Sequence, residues 1–365
     1  GHDVIAAEDG EQAWEIFKES PLFIVITDWM MPRMTGIELC RKIRGFQYNL
    51  YTFVILLTAK EGQESFQEAL DAGVDDFLSK PFNKSDIEGR LRSAARVTDL
   101  EQKVSEQYDE LQVALHHIEK DLEAAAKIQD SLLPHGISSV GNQDLSWTLE
   151  PCEQLAGDIF NIIEFSDEVT GIYLLDVSSY CVASALLSVS LSRLLSPYGD
   201  DSFLMRSDEE GRKPLEPSII LSRLNERFQI SESSVNQYFT ILYALYDHRS
   251  GLLKYSMAGT PPILIDRADG ELLELQQRSF PIGFVPDPEY IDDEIQLKKN
   301  DTACLFSDGM YEILNEHDDI YGINRLKLQM SSSHNTSLEE LSQSLIQSAK
   351  SWNENKPLMD DISLM

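Results

Sequence analysis

Basic residues are scarce in this chain. Thirty lysines and arginines stand against 62 aspartates and glutamates, a formal charge of −32 over 365 residues. Nucleic acid is held by a basic surface, so this balance argues against it as a partner. Anionic membranes are disfavoured for the same reason. Cysteine is scarce too: Cys40, Cys152, Cys181 and Cys304 fall in separate segments and form no C-x-x-C pair. That pattern reads as reduced thiols of a cytoplasmic protein, not as a disulfide framework. The seven histidines show no metal-ligand spacing. No apolar run approaches the length of a membrane span, and the first residues do not read as a secretory leader. From residue 94 to residue 133 there is no glycine and no proline, so both common helix breakers are missing there.

What is present divides into a front segment, a connector and a larger rear segment, as the length predicts. In the front, short apolar runs at 3–7, 22–27, 53–58 and 74–78 alternate with amphipathic stretches at 10–19, 35–45 and 61–72. Near-continuous apolar strands alternating with helices predict a parallel sheet covered on both faces. Function in such sheets gathers at the carboxyl ends of the strands. Asp28 in T-D-W-M-M-P-R, Thr58 in L-L-T-A-K and Lys80 in F-L-S-K-P-F all fall there.

With those three residues in register, residues 1–92 resemble the receiver domain of two-component response regulators, an α/β flavodoxin-like fold. The resemblance implies that Asp28 accepts phosphate from a sensor histidine kinase. It also implies that Thr58 binds the phosphoryl group, that Lys80 pairs with it and that Phe77 is the aromatic that changes rotamer. An aspartate can take phosphate as an acyl phosphate. An intact receiver holds Mg²⁺ through an acidic pair on its first strand. The 27 residues before Asp28 start at what looks like the second strand, so the first strand is expected to be missing and the receiver N-terminally incomplete.

Residues 93–133 predict a coiled-coil helix. From Val104 onward, Tyr108, Leu111, Leu115, Ile118, Leu122 and Ala125 keep heptad spacing, with charges between them. A single such helix cannot bury its own stripe, so a parallel homodimer is expected. Gln129 falls on the seam as a polar break, expected to loosen the packing and leave the helix with two states.

Four aspartates dominate residues 134–365: Asp158 in A-G-D-I-F-N, Asp176 in L-L-D-V-S, Asp308 in L-F-S-D-G and Asp360 in M-D-D-I-S. Each is expected at or near a strand end, where side chains can converge. Carboxylates without histidine or cysteine make a hard-oxygen site, suited to Mg²⁺ or Mn²⁺. Two such ions suit in-line attack on a phosphate ester. Strand-like runs at 145–150, 159–165, 169–177, 239–247, 252–257, 262–266, 290–297 and 302–307 are joined by helical patterns at 182–195, 216–230 and 337–352. The stretch 197–217 reads as a loop.

These motifs, with A-G-T-P-P at 258–262, P-I-G-F at 281–284 and S-D-G-M-Y-E at 307–312, resemble the PPM-type serine/threonine phosphatases of the SpoIIE and RsbU kind. The resemblance implies an α-β-β-α sandwich and two Mn²⁺ or Mg²⁺ ions held by Asp158, Asp176, Asp308, Asp360 and the carbonyl of Val177, with Asp158 acting partly through water. It also implies a phosphorylated anti-anti-sigma (STAS-type) protein as substrate. Two departures stand out. The family's D-V-S-G-H-G is D-V-S-S-Y-C here, at Asp176 to Cys181, and its A-G-H-P-P has Thr260 in place of histidine. They keep a second reading open: a weak or dead phosphatase fold that serves as a phosphorylation-dependent adaptor.

Overall fold

Local signals start the helices where expected. α1 (Gly10–Glu19) opens at Asp9, whose carboxylate accepts the Gln12 amide at 2.9 Å. After β1 (Ile24–Asp28), α2 (Gly36–Gly45) opens with a reciprocal capping box between Thr35 and Glu38. Such caps satisfy amides that the first helical turn leaves without partners. β2 (Phe53–Thr58), α3 (Gln63–Asp71) and β3 (Asp76–Ser79) follow. The computed structural model describes residues 3–48, 51–59, 63–141, 143–178, 182–198, 202–208, 211–229, 238–333, 336–354 and 356–365. The chain falls into two compact units, Gly1–Glu119 and Lys120–Met365.

In the first unit the three strands pair in parallel in the order β1-β2-β3. Central β2 is buried at five of its six positions, which is why its sequence is an unbroken apolar run. Residues 3–7, expected as a strand, form none and are exposed. A strand needs a neighbour to satisfy its amides and carbonyls, and among the described residues this stretch has none. β1 is accordingly an edge, with Ile26 exposed.

α4 (Lys84–Asp130) is one 47-residue helix. The expected connector is therefore not a separate element but the continuation of the helix that follows β3. Leu100, Val104, Tyr108, Leu111, Leu115 and Ile118 lie exposed along it.

In the second unit a short ribbon of β4 (Ser139–Val140) and β5 (Gln143–Asp144) precedes β6 (Thr148–Glu150). β7 (Ile159–Glu164) and β8 (Val169–Val177) lead into α5 (Val182–Leu194). The predicted loop at 197–217 contains an antiparallel hairpin, β9 (Met205–Asp208) and β10 (Gly211–Pro214). Its polar strands lack the apolar alternation by which a strand is recognised. Then come α6 (Pro217–Arg227), β11 (Phe239–Asp247), β12 (Leu252–Ala258), β13 (Ile263–Asp266) and β14 (Leu272–Leu275). β15 (Asp293–Gln296), β16 (Thr302–Cys304), a 3₁₀ turn at Asp308–Met310, α7 (Ile323–Ser332), α8 (Leu338–Trp352) and β17 (Ile362–Leu364) complete it.

One antiparallel sheet runs β15-β12-β11-β8-β7. The other runs β14-β13-β16 and continues through a Phe306–Leu364 bridge to the β17-β6 pair. Ile263, Ile265 and Leu305 of the second sheet share a core with Leu174, Leu242 and Leu253 of the first. α6 supplies Ile220, Leu221 and Leu224 to that core, while α7 and α8 pack Leu326, Met330, Leu345 and Ala349 into a second one beneath β13 and β16. The result is the expected α-β-β-α sandwich.

Candidate metal centre and phosphoacceptor site

β8 sets the first acid of the second unit. Asp176 is its penultimate residue and stands opposite Thr240 of β11. Asp158 immediately precedes β7, whose Ile159 pairs with Leu175, so the two acids end adjacent strands. Asp308 opens the 3₁₀ turn after β16, and Asp360 comes just before β17. Gly309 lets these last two meet: a Cβ there would lie 2.1 Å from the Asp361 carbonyl oxygen. The tripeptide S-D-G is thus a close backbone approach and not only a turn.

Asp176 senses the other three acids. Burial raises the Asp158 carboxyl well above its ordinary range, and the charges of Asp176 and Asp361 push it further. Asp176 is pushed up to about 8, first by burial, then by the charges of Asp308 and Asp360. Asp158 is also hydrogen-bonded to Asp176. Burial raises Asp308 as well. Mutual repulsion and desolvation favour protons over bare carboxylates here. Among the described residues, no three acids stand close enough to grip one ion as they are. Even so, Asp308 Oδ1 is buried with no hydrogen-bond partner among the described residues. An orphaned anionic oxygen in an all-oxygen set fits a hard divalent cation. The Val177 backbone follows Asp176 at the strand end, with its side chain in the core.

Three further residues build this site. Asp361 accepts the amides of Cys152 (2.8 Å), Gly157 (2.6 Å) and Asp158 (3.3 Å). Ser363 donates to Asp158 Oδ2 at 2.6 Å. Gln129, expected as a loose seam residue, is instead buried and clamped. Its Nε2 donates to the Ala156 carbonyl at 2.6 Å and to Ser188 Oγ at 3.2 Å, and its Oε1 accepts the Ala156 amide at 3.0 Å. Heptad spacing places a residue on a helix face but does not say what covers that face. The second acid of M-D-D-I-S was the one signal for Asp361. Thr260 is buried, its hydroxyl unpartnered among the described residues. The departure at Ser179, Tyr180 and Cys181 lies outside the described residues. Cys40, Cys152 and Cys304 are free.

The first unit brings its own group together. Asp28 ends β1 and forms an ion pair with Lys80 Nζ. Thr58 ends β2, is buried, and its carbonyl accepts the Lys80 amide at 2.8 Å. Phe77 lies on β3, half-buried, with its ring 4.2 Å from that of Phe66. The Asp28 carboxylate, the Thr58 hydroxyl and Lys80 therefore share the carboxyl edge of the sheet.

Comparison with known proteins agrees with both units. Residues 166–365 match the family described as stage II sporulation protein E (SpoIIE), and residues 1–92 match the response regulator receiver domain. The SpoIIE match covers more than half of the chain, and the chain belongs to that family of PPM-type phosphatases. The SiaA-PP2C domain of Pseudomonas aeruginosa has the same fold, with a TM-score of 0.58, 20 % identity, and 69 % of this chain and 96 % of that one covered. The response regulator RppA of Synechocystis is 40 % identical over 90 residues, 24 % of this chain and 38 % of RppA. The probable transcriptional regulator ycf27 of Porphyridium aerugineum is 37 % identical over 99 residues, 27 % of this chain and 40 % of that protein. The chain thus spans about two fifths of the length of these curated relatives. No helix among the described residues is long and apolar enough to cross a membrane.

Proposed function

We propose that this chain is a cytoplasmic response regulator whose output is dephosphorylation of a phosphoserine or phosphothreonine protein, a phosphorylated STAS-type anti-anti-sigma protein. A sensor histidine kinase supplies the phosphate to Asp28. The observation that carries the output reading is the convergence of acids from separate segments on Asp176, which is hydrogen-bonded to Asp158 and feels the charges of Asp308 and Asp360, with Asp158 buried and Asp176 and Asp308 half-buried.

Asp176, Asp308, Asp360, Asp158 and the Val177 carbonyl would hold two Mn²⁺ or Mg²⁺ ions. When bound, they supply Lewis-acid activation of water and neutralise phosphoryl charge. The chain's own contribution is placement. Asp361 fixes the A-G-D turn through two of its amides and ties it to the Cys152 amide, and Ser363 orients the Asp158 carboxylate. Asp158 is buried and the other three acids are half-buried, which limits contact with bulk water and strengthens charge interactions within the site.

In the receiver, Lys80 holds the Asp28 carboxylate and Thr58 stands beside it, ready to follow the phosphoryl oxygens. The exposed stripe of α4 supports a parallel homodimer, since a second copy buries Leu111, Leu115 and Ile118 at the seam.

The test is Mn²⁺-dependent release of phosphate from a serine-phosphorylated STAS protein, with and without beryllofluoride on Asp28. Turnover lost in Asp308→Ala supports the reading; metal binding without turnover refutes it. That second outcome would favour the adaptor, which the unpartnered Thr260 hydroxyl at the usual histidine position supports.

A further inference from the structure

Three aromatic rings form a connected, solvent-facing row on the second unit. Tyr238 and Phe284 meet edge to face with centroids 5.4 Å apart, and Phe284 stacks on Phe280 at 6.2 Å. Tyr238 is 37 %, Phe280 52 % and Phe284 51 % exposed. Beside them opens a cleft of about 610 Å³, lined on its apolar side by Phe280, Val285, Pro286, Pro288 and a 51 % exposed Ile291 and elsewhere by polar residues such as Arg278 and Glu289. Isolated exposed apolar residues are ordinary, whereas a joined patch marks a binding surface.

The row is tied to the acid cluster through the backbone. Ser178, two residues past Asp176, sends its hydroxyl (2.6 Å) and its amide (3.1 Å) to the Tyr238 carbonyl. Phe239 pairs with Val177 on one side and Ile282 on the other. Thr240 stands opposite Asp176. Tyr238 has the same parity as Thr240, so ring and carboxylate share a sheet face.

The turn that carries Phe284 is also held firmly. Buried Asn225 accepts the Gly283 amide at 2.8 Å and donates to the Val285 carbonyl at 3.1 Å. At Gly259, with φ +73°, a Cβ would lie 2.7 Å from Pro281, so the A-G-T strand end locks against the same turn. Rigid aromatic anchors beside a reactive site are what a protein surface needs; a small phosphate ester would use the acids alone.

We propose that this row docks the protein substrate. The Tyr238, Phe284 and Phe280 rings seat an apolar surface of the phosphoprotein while its phosphorylated side chain enters the acid cluster. The proposal rests on the phosphatase reading above.

Its test uses the full chain with Mn²⁺, comparing wild type, Phe284→Ala and Phe280→Ala on two probes: p-nitrophenyl phosphate and a serine-phosphorylated STAS-domain protein. Both rings are half-exposed, and circular dichroism checks that the variants fold. KM for the phosphoprotein should rise about tenfold or more, with p-nitrophenyl phosphate kinetics unchanged. An equal loss on both probes would mean that the rings only hold the turn, and no change on either would mean that nothing docks there; each overturns the proposal. A change in sedimentation instead would make the row an interface between copies of this chain, which also overturns it. Anisotropy of the labelled phosphoprotein separates the two readings. If wild type hydrolyses neither probe, the phosphatase reading fails, yet weaker binding by the variants still supports docking. Binding equal to wild type, or none by wild type, refutes it.

Discussion

The amides of Cys152, Gly157 and Asp158 converge on the carboxylate of Asp361. Removing that acceptor strands three backbone donors near the acid cluster. Asp361→Ala should therefore cost about 2–4 kcal/mol in urea unfolding, given about 1–3 kcal/mol per unsatisfied buried group with partial rehydration. Asp361→Asn keeps one acceptor oxygen and should recover part of the loss. Asp176 gives a pH signature to the metal-free protein. Its carboxyl is held up at about 8 when folded, against about 3.9 unfolded. The native state then binds the extra proton between those values, so stability falls as pH rises across that window. Thermal melts of the metal-free chain should show a lower Tm at pH 8 than at pH 5.5, and Asp176→Asn should flatten the difference. Mn²⁺ affinity should rise over the same range, because the ligands must shed protons. At this scale the sequence identified the acids through their short signatures. It singled out Gln129 only as a loose seam residue and was blind to Ser363, because their roles come from partners 27 and 205 residues away.

Elements tell a parallel story. The helix pattern at 94–133 was legible because missing breakers and a heptad stripe are local facts. Its fusion with the helix after β3 was not, since α4 begins at Lys84, well ahead of the heptad stripe. Glutamate at Leu111 and Ile118 together should abolish a dimer by sedimentation while leaving helix content by circular dichroism intact. An unsatisfied charge cannot sit in a packed seam. At the other end of α4, Gln129→Leu removes both hydrogen bonds to Ala156. It should lower Tm and flatten the response of turnover to beryllofluoride, because Ala156 lies two residues before Asp158. The hairpin of β9 and β10 was missed for want of apolar alternation, whereas β8 and β11 were found almost to the residue. Those two are buried on both faces, one by helices and one by the facing sheet.

For the whole molecule, the decisive prediction links the two ends of the chain. Asp28→Ala should leave basal Mn²⁺-dependent hydrolysis in place but remove any effect of beryllofluoride or acetyl phosphate, read as phosphate release. Loss of the response with unchanged basal rate assigns Asp28 to control; an unchanged response refutes it. Three of the four expected receiver strands, the connector helix and the acid motifs were determined by the sequence alone, since periodicity, breaker content and short signatures are properties of neighbouring residues. Only the tertiary structure decided which distant groups share a pocket: Asp158 with Ser363, Asp361 with the A-G-D turn, Gln129 with Ala156, and Tyr238 with Phe284. Those pairings depend on strand order and sheet packing, which bring together residues that no local pattern can connect.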